Sequence, residues 1–184
     1  MKKYQIIYAD PPWKYRQGSS MGTNFAGAAD ARYECMDYKE ICALPVNGLV
    51  ADKSILFLWV TFPMLREGLA VIEAWGFEYK TVAFTWVKTN ANNMGFLFGI
   101  GYYTKSNAEV CLLATKGNAH SLVRDNSISQ MIMTPKMAHS RKPIEVRDRI
   151  VQMLGDLPRI ELFARRKVEG WDSWGNEVES DIEL

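Results

Sequence analysis

Residues 5–15 read QIIYADPPWKY, an apolar run that stops abruptly at Asp10, Pro11, Pro12 and Trp13. The stretch from Tyr4 to Ala9 is too apolar to alternate, the pattern of a central strand covered on both faces. Ser54–Val60 (SILFLWV) and Glu109–Ala114 (EVCLLA) read the same way. Between them Leu65, Leu69, Ile72 and Trp75 recur at helical spacing, and Gly76 follows where a helix would end, giving a strand, helix, strand unit. Lys80–Lys88 is rich in β-formers. Pro143–Leu154 places Pro at an expected first helical position and lines up Val146, Ile150, Met153 and Leu154 before Gly155. Arg159–Ala164 supplies another strand. This alternation predicts an α/β fold, a sheet with helices on both faces. In such sheets ligands bind beyond the carboxyl ends of strands, where Asp10 to Trp13 fall. Residues 14–32, 90–107 and 117–141 read as long loops, a length that in a compact domain usually marks function or mobility.

The chain has 184 residues, 48% hydrophobic and 23% charged, enough for one full core and too few for two, so a single domain over residues 1–184 is expected. Lys and Arg number 22 against 21 Asp and Glu, so any contact with a polyanion must come from a local patch. Cys35, Cys42 and Cys111 include no C-x-x-C pair, and with His120 and His139 the only imidazoles, no metal site is expected. The run before Asp10 is too short for a signal peptide's core, and no segment approaches a membrane span. A reduced, cytoplasmic protein without a membrane partner is the expectation.

Two prolines after an aspartate fix an extended turn and are expected to leave backbone carbonyls without competing donors, a rigid row of acceptors. Asp10 adds carboxylate oxygens, and Trp13 a flat apolar face. Such a site suits a planar substrate carrying an NH₂ group. An aromatic amine is a poor nucleophile because its lone pair is delocalised into the ring. Two acceptors gripping its hydrogens can hold the nitrogen in an attacking geometry, and the carboxylate offsets the charge that grows during methyl transfer. An aspartate near its ordinary pKa of about 3.9 is ionised at neutral pH, as this role requires. Asp-Pro-Pro alone reads as an ordinary strand end. With Trp it should occur by chance in roughly one chain of this size in a few thousand, which favours function.

With these residues in place, the chain resembles the MT-A-seventy family of N6-adenine methyltransferases. The resemblance extends through six further blocks in order: Leu56–Thr61 (LFLWVT), Trp86–Asn90 (WVKTN), Gly117-Asn118, His139–Pro143 (HSRKP), Glu161–Arg165 (ELFAR) and Trp174–Glu177 (WGNE). It implies S-adenosylmethionine as methyl donor and a Rossmann-like methyltransferase fold in permuted order: a mostly parallel central sheet, catalytic motif first, cofactor-binding strand near the C-terminus. By resemblance, Asp10, Pro11, Pro12 and Trp13 are the catalytic tetrapeptide, with Asp10 also near the cofactor's amino group. Lys142 resembles the lysine that meets the cofactor's carboxylate. Arg165, Asn176 and Glu177 resemble ribose and adenine-side contacts, Glu161 and Phe163 on the supporting strand are taken with them as cofactor-binding residues, and Tyr33 resembles an aromatic residue of the substrate and cofactor gate. Arg166-Lys167 depart from the family pattern, in which a histidine or asparagine often follows the arginine. The residues ahead of Asp10 are too few for the upstream cofactor-contacting segment of larger relatives.

Glu161, mid-strand among apolar residues, requires a partner whatever its role, and Arg165 is the expected one. Lys14, Arg16, Lys88, Lys105, Arg124 and Arg141 lie in or beside the predicted loops and could meet phosphates, with Lys88 taken as a substrate contact. The stretch Gly95–Asn107 could close over a target base or pack on a partner. The expected substrate is adenine in a nucleic acid, flipped out or single stranded, with DNA favoured over RNA. One small domain offers little surface for reading DNA, which leaves room for a homodimer. Rival readings are a non-catalytic nucleic-acid-binding subunit, methylation of a free nucleotide, and a dinucleotide-dependent oxidoreductase, for which Gly99-Ile100-Gly101 is the only hint.

Overall fold

The computed structural model describes residues 2–15, 35–92, 95–99, 103–136 and 141–184. Among the described residues seven strands form one sheet: β1 (Tyr4–Ala9), β2 (Val50–Val60), β3 (Glu78–Thr89), β4 (Glu109–Lys116), β5 (Met131–Pro135), β6 (Arg159–Leu162) and β7 (Asp172–Trp174). Their order is β5-β3-β4-β2-β1-β6-β7. Every neighbouring pair is parallel except β2 with β4 and β3 with β4, so β4 alone runs against the rest. The helices are α1 (Tyr38–Ala43), α2 (Leu65–Ala74) and α3 (Glu145–Leu154).

The alternation of side chains along β1 and β2 divides the core into two layers. Ile7 and Ala9 of β1, with Leu56, Leu58 and Val60 of β2, pack against Ile41 of α1 and Val71 and Ile72 of α2. Ile6 and Tyr8, with Ile55, Phe57 and Trp59, pack against Val146, Ile150 and Leu154 of α3. Helices therefore cover both faces, and each fully buried side chain of this kind stabilises the fold by roughly 1.5–3 kcal/mol. Helix α2 sits so close to β2 that a Cβ at Gly68 would lie 2.5 Å from a Val60 methyl carbon.

The expected strands and the two longer helices are present, with three differences. The region read as strand, helix, strand holds β2 and β4 as antiparallel neighbours, with β3 intervening in sequence and pairing on the far side of β4. Pro143 precedes α3 rather than opening it, and its carbonyl accepts from the Val146 N–H. The strand read as Arg159–Ala164 stops at Leu162 because Phe163 turns to φ 61°.

Three short elements fall outside the sequence reading. Helix α1 is announced by a capping box: Asp37 accepts from the Lys39 N–H, and Glu40 accepts from the Asp37 N–H. Strand β5 lies inside the stretch read as one loop, and β7 has only three residues. Most of residues 14–32 lies outside the described residues. Among the described residues no helix is long and apolar enough to cross a membrane.

Candidate active site

The tetrapeptide leaves β1 at the carboxyl end of the parallel strands. Its carbonyls are not free of donors, contrary to expectation. The Trp13 N–H folds back onto the Pro11 carbonyl at 2.9 Å, and the Met36 N–H reaches the Pro12 carbonyl at 2.8 Å. Proline removes only its own N–H, so the residue after the pair can still donate. A carbonyl oxygen has two lone pairs, so each retains one acceptor position. Trp13 is buried, and its indole N–H donates to the Trp59 carbonyl at 3.0 Å, tying the turn to the end of β2.

Lys142 closes the site from the segment before α3. Its ammonium lies 2.8 Å from Asp10 Oδ1, 2.9 Å from Asp10 Oδ2 and 3.3 Å from Glu109 Oε2. It also stands 5.5 Å from the centre of the Trp59 ring, whose indole N–H donates to the Tyr8 hydroxyl. Glu109 in turn binds Lys88 at 2.5 Å, and Lys88 stands 5.1 Å over the Trp86 ring. The charges rest on an aromatic floor, since Trp59 and Trp86 meet edge to face. Asp10, Pro11, Pro12, Trp13, Lys142 and Arg165 line one pocket of about 100 Å³ together with Tyr15, Cys35, Thr61 and Glu109.

Glu109 was legible only as the start of a strand. It reaches the site because β4 runs backwards: its first residue lies at the edge where β1, β2 and β3 end. The two carboxylates that share Lys142 are driven apart. Burial pushes Asp10 up despite Lys142, whereas at Glu109 the two lysines outweigh burial and hold the group below its usual range. Lys142 is pushed up, because the pull of Asp10 and Glu109 exceeds the cost of its burial. The two carboxylates that share one lysine thus shift in opposite directions, Asp10 up and Glu109 down. Asp10 is thus not the ordinary aspartate of the sequence reading.

The C-terminal strands hold the remaining candidates. Glu161 is not paired with Arg165. Its carboxylate takes two bonds from Arg147 of α3, at 2.8 and 2.5 Å, and Arg147 lies 5.2 Å from the centre of the Tyr8 ring. Arg147 carries no motif, and only the packing of α3 beside β6 brings it there. Arg165 instead lies 3.7 Å from Glu177, next to the exposed Asn176. Phe163 takes its left-handed backbone just past β6 and packs edge to face on Trp174, with ring centres 5.3 Å apart. Strain of this kind in a non-glycine residue collects at functional sites. Gly175 is needed there, since a Cβ would fall 2.3 Å from the Ala164 carbonyl oxygen. Tyr33, His139 and Arg16 lie outside the described residues. The Gly99-Ile100-Gly101 hint sits in the connection between β3 and β4, which leads to a strand rather than a helix, and its last two residues are outside the described set.

The sequence model of the MT-A70 family matches residues 4–177. The chain belongs to the MT-A70 family. MT-A70 proteins are N6-adenine methyltransferases, and the mixed sheet with helices on both faces is consistent with their methyltransferase fold. The chain is similar to the type II methyltransferase M.MunI of a Mycoplasma species, at 38% identity with all of this chain and 82% of that protein covered. It is similar to a probable N(6)-adenosine-methyltransferase of the MT-A70-like type from Oryza sativa subsp. japonica, 31% identical over 96% of this chain and 23% of that one. A third relative, an N(6)-adenosine-methyltransferase of the same type from Arabidopsis thaliana, is 30% identical over 95% of this chain and 24% of its own length. The chain thus spans most of the first relative and about a quarter of the MT-A70-like proteins of the two plants.

Proposed function

We propose that this chain is a single methyltransferase domain that transfers a methyl group from S-adenosylmethionine to the exocyclic N6 amine of adenine in a nucleic acid, DNA ahead of RNA. The observation that carries the reading is Asp10 itself, a partly buried carboxylate held by Lys142 beside the Pro11 and Pro12 carbonyls in a pocket walled by Trp13. The order DNA before RNA rests on coverage: the chain matches the type II methyltransferase over most of its length and the adenosine methyltransferases over about a quarter of theirs.

The donor set fits the cofactor. A buried ammonium at Lys142 can meet a carboxylate, Asp10 can meet an amino group, and the Arg165–Glu177 pair beside Asn176 offers partners for ribose hydroxyls. When bound, the cofactor supplies an electrophilic methyl group. Everything else falls to the chain. Asp10 and the free lone pair of the Pro11 carbonyl each accept one hydrogen of the amine, which frees the nitrogen lone pair from the ring. As positive charge develops on nitrogen, the Asp10 carboxylate offsets it, and its upward-shifted pKa suits it to take the departing proton. Lys142 keeps Asp10 ionised until then. Glu161 on β6 and Phe163 just past it complete the cofactor-binding set from the side of that strand.

The test is transfer of labelled methyl from S-adenosylmethionine to matched single- and double-stranded DNA and RNA, followed by nucleoside analysis, with Asp10→Asn as control. N6-methyladenine that disappears in the control is the expected result. Label on another atom, or equal transfer by Asp10→Asn, would overturn the reading.

A further inference from the structure

A second cavity of about 980 Å³ opens beside the Asp10 pocket and shares Tyr15, Thr61 and Glu109 with it. The small pocket has room for little more than the amine-bearing edge of one base, while the large one has the size of a full ligand site. Its walls expose aromatic rings to solvent: Phe62 is 54% and Phe98 57% exposed. Phe98 is braced edge to face by Phe96. The segment carrying both is stapled to β3, since the Leu97 N–H donates to the Lys88 carbonyl and the Asn107 side chain bonds Lys88 on both its N–H and C=O. These rings are held outward, not loosely folded over a core. Two exposed lysines, Lys105 and Lys136, join the same wall. The one carboxylate among the described lining residues, Glu109, is already paired with Lys88 and Lys142. Among its described residues the groove is aromatic and net positive, and it shares three residues with the Asp10 pocket.

We propose that this groove is a track for unpaired nucleotides flanking the target base, with Phe62 and Phe98 stacking bases and Lys105 and Lys136 meeting phosphates. The inference rests on the nucleic-acid reading given above and adds the strand state. Exposed ring faces profit only from bases whose own faces are open, which a closed duplex does not offer, and stacking of this kind tolerates any base. Tyr15, whose hydroxyl bonds Thr61 at 2.8 Å, stands on the threshold between track and pocket.

Binding of a labelled short strand of dC and dG that does not self-pair, which contains no adenine, isolates the track from the chemistry. The wild-type chain is expected to bind it more tightly than the adenine-free duplex it forms with its complement. Phe62→Ala and Phe98→Ala should each weaken binding about tenfold or more, the worth of one stacked base. Lys105→Ala and Lys136→Ala should each reduce the salt slope by about 0.7. On an adenine-containing strand the same variants should raise KM and leave kcat within about twofold, an order-of-magnitude margin for residues remote from the reacting atoms. Unchanged affinity and KM in all four variants of an active enzyme would overturn the track, as would equal binding of duplex. So would aromatic variants that alter self-association in sedimentation instead, which would make the groove a contact between copies. Oligonucleotide binding that needs Phe98, without methyl transfer to any polymer, would instead support the track and sink the methyl-transfer reading.

Discussion

The Arg147–Glu161 pair and the Lys142 cluster rest on neighbouring rings, Tyr8 and Trp59, which are themselves hydrogen-bonded to each other. In the first, one guanidinium meets one carboxylate with two parallel bonds between α3 and β6. In the second, one ammonium is divided between two carboxylates that differ in the direction of their pKa shift. The closed pair meets both charges within the protein and ties α3 to β6. The divided cluster keeps a carboxylate whose charge is incompletely compensated, and that is the property needed to bind a group in which charge develops. The pair closed on itself is the more buried of the two, while the divided cluster keeps Asp10 22% exposed at the edge of the pocket.

Breaking the closed pair should have the largest effect. Arg147→Ala strands a buried carboxylate, at about 3–5 kcal/mol, which for a chain of this size lowers Tm by roughly 6–20 °C. Replacing both partners, Arg147→Met with Glu161→Leu, should recover most of that loss in thermal denaturation. A double variant as unstable as the single one would show that Glu161 has a further partner in the folded protein.

Asp10→Asn should do the reverse: methyl transfer down by roughly 10²–10³-fold, the loss of one preorganised electrostatic contact, with Tm not lowered. The sign follows from burial. A carboxyl whose folded pKa is raised makes the protein more stable below its unfolded value, about 3.9, and loses that advantage as pH rises through the folded value. At neutral pH asparagine removes the desolvation of Asp10 but also takes from Lys142 one of its two carboxylates, and the two changes offset each other. The same shift predicts that kcat/KM falls on acidification at a higher pH than an ordinary aspartate would give, and a pH–rate profile limited by a group below about 3.9 would contradict it.

Glu109→Gln carries the opposite sign and a smaller size. Its carboxylate is held low by Lys142 and Lys88, so its stabilisation is present above about 4.3 and lost as pH falls through the folded value. Loss of its charge-assisted bonds should cost roughly 1.5–3 kcal/mol at neutral pH and nothing at the acid end, which denaturation at two pH values would show.

This contrast also explains what could be read in advance. The strands β1 to β4 and β6 and helices α2 and α3 announce themselves because their apolar periodicity is local. Asp10 and Lys142 were reached through contiguous motifs. Glu109 and Arg147 were not, because one depends on β4 running antiparallel between two parallel neighbours and the other on which side chain of α3 faces β6. Both are facts of strand order and packing, which no window of sequence contains. Helix α1 was within reach through its Asp37–Glu40 capping box, whereas β5 and β7 are too short for a periodic signal.

The smallest effect separates the two roles that Trp13 combines. Its ring belongs to the core between α2 and the sheet, yet it also walls the Asp10 pocket, and its N–H bonds the Trp59 carbonyl. Trp13→Phe keeps an aromatic face and removes the hydrogen bond, a loss of about 1 kcal/mol, seen as a Tm lower by roughly 2–4 °C. If the ring orients the target base, Trp13→Phe should retain most of kcat/KM while Trp13→Leu, equally apolar but without a π-face, should lose about tenfold, since stacking of one base is worth 1–3 kcal/mol. If the two variants are equal in activity and differ only in Tm, Trp13 is core alone. Base orientation then passes to Tyr15, an exposed aromatic residue among the described ones that line the pocket.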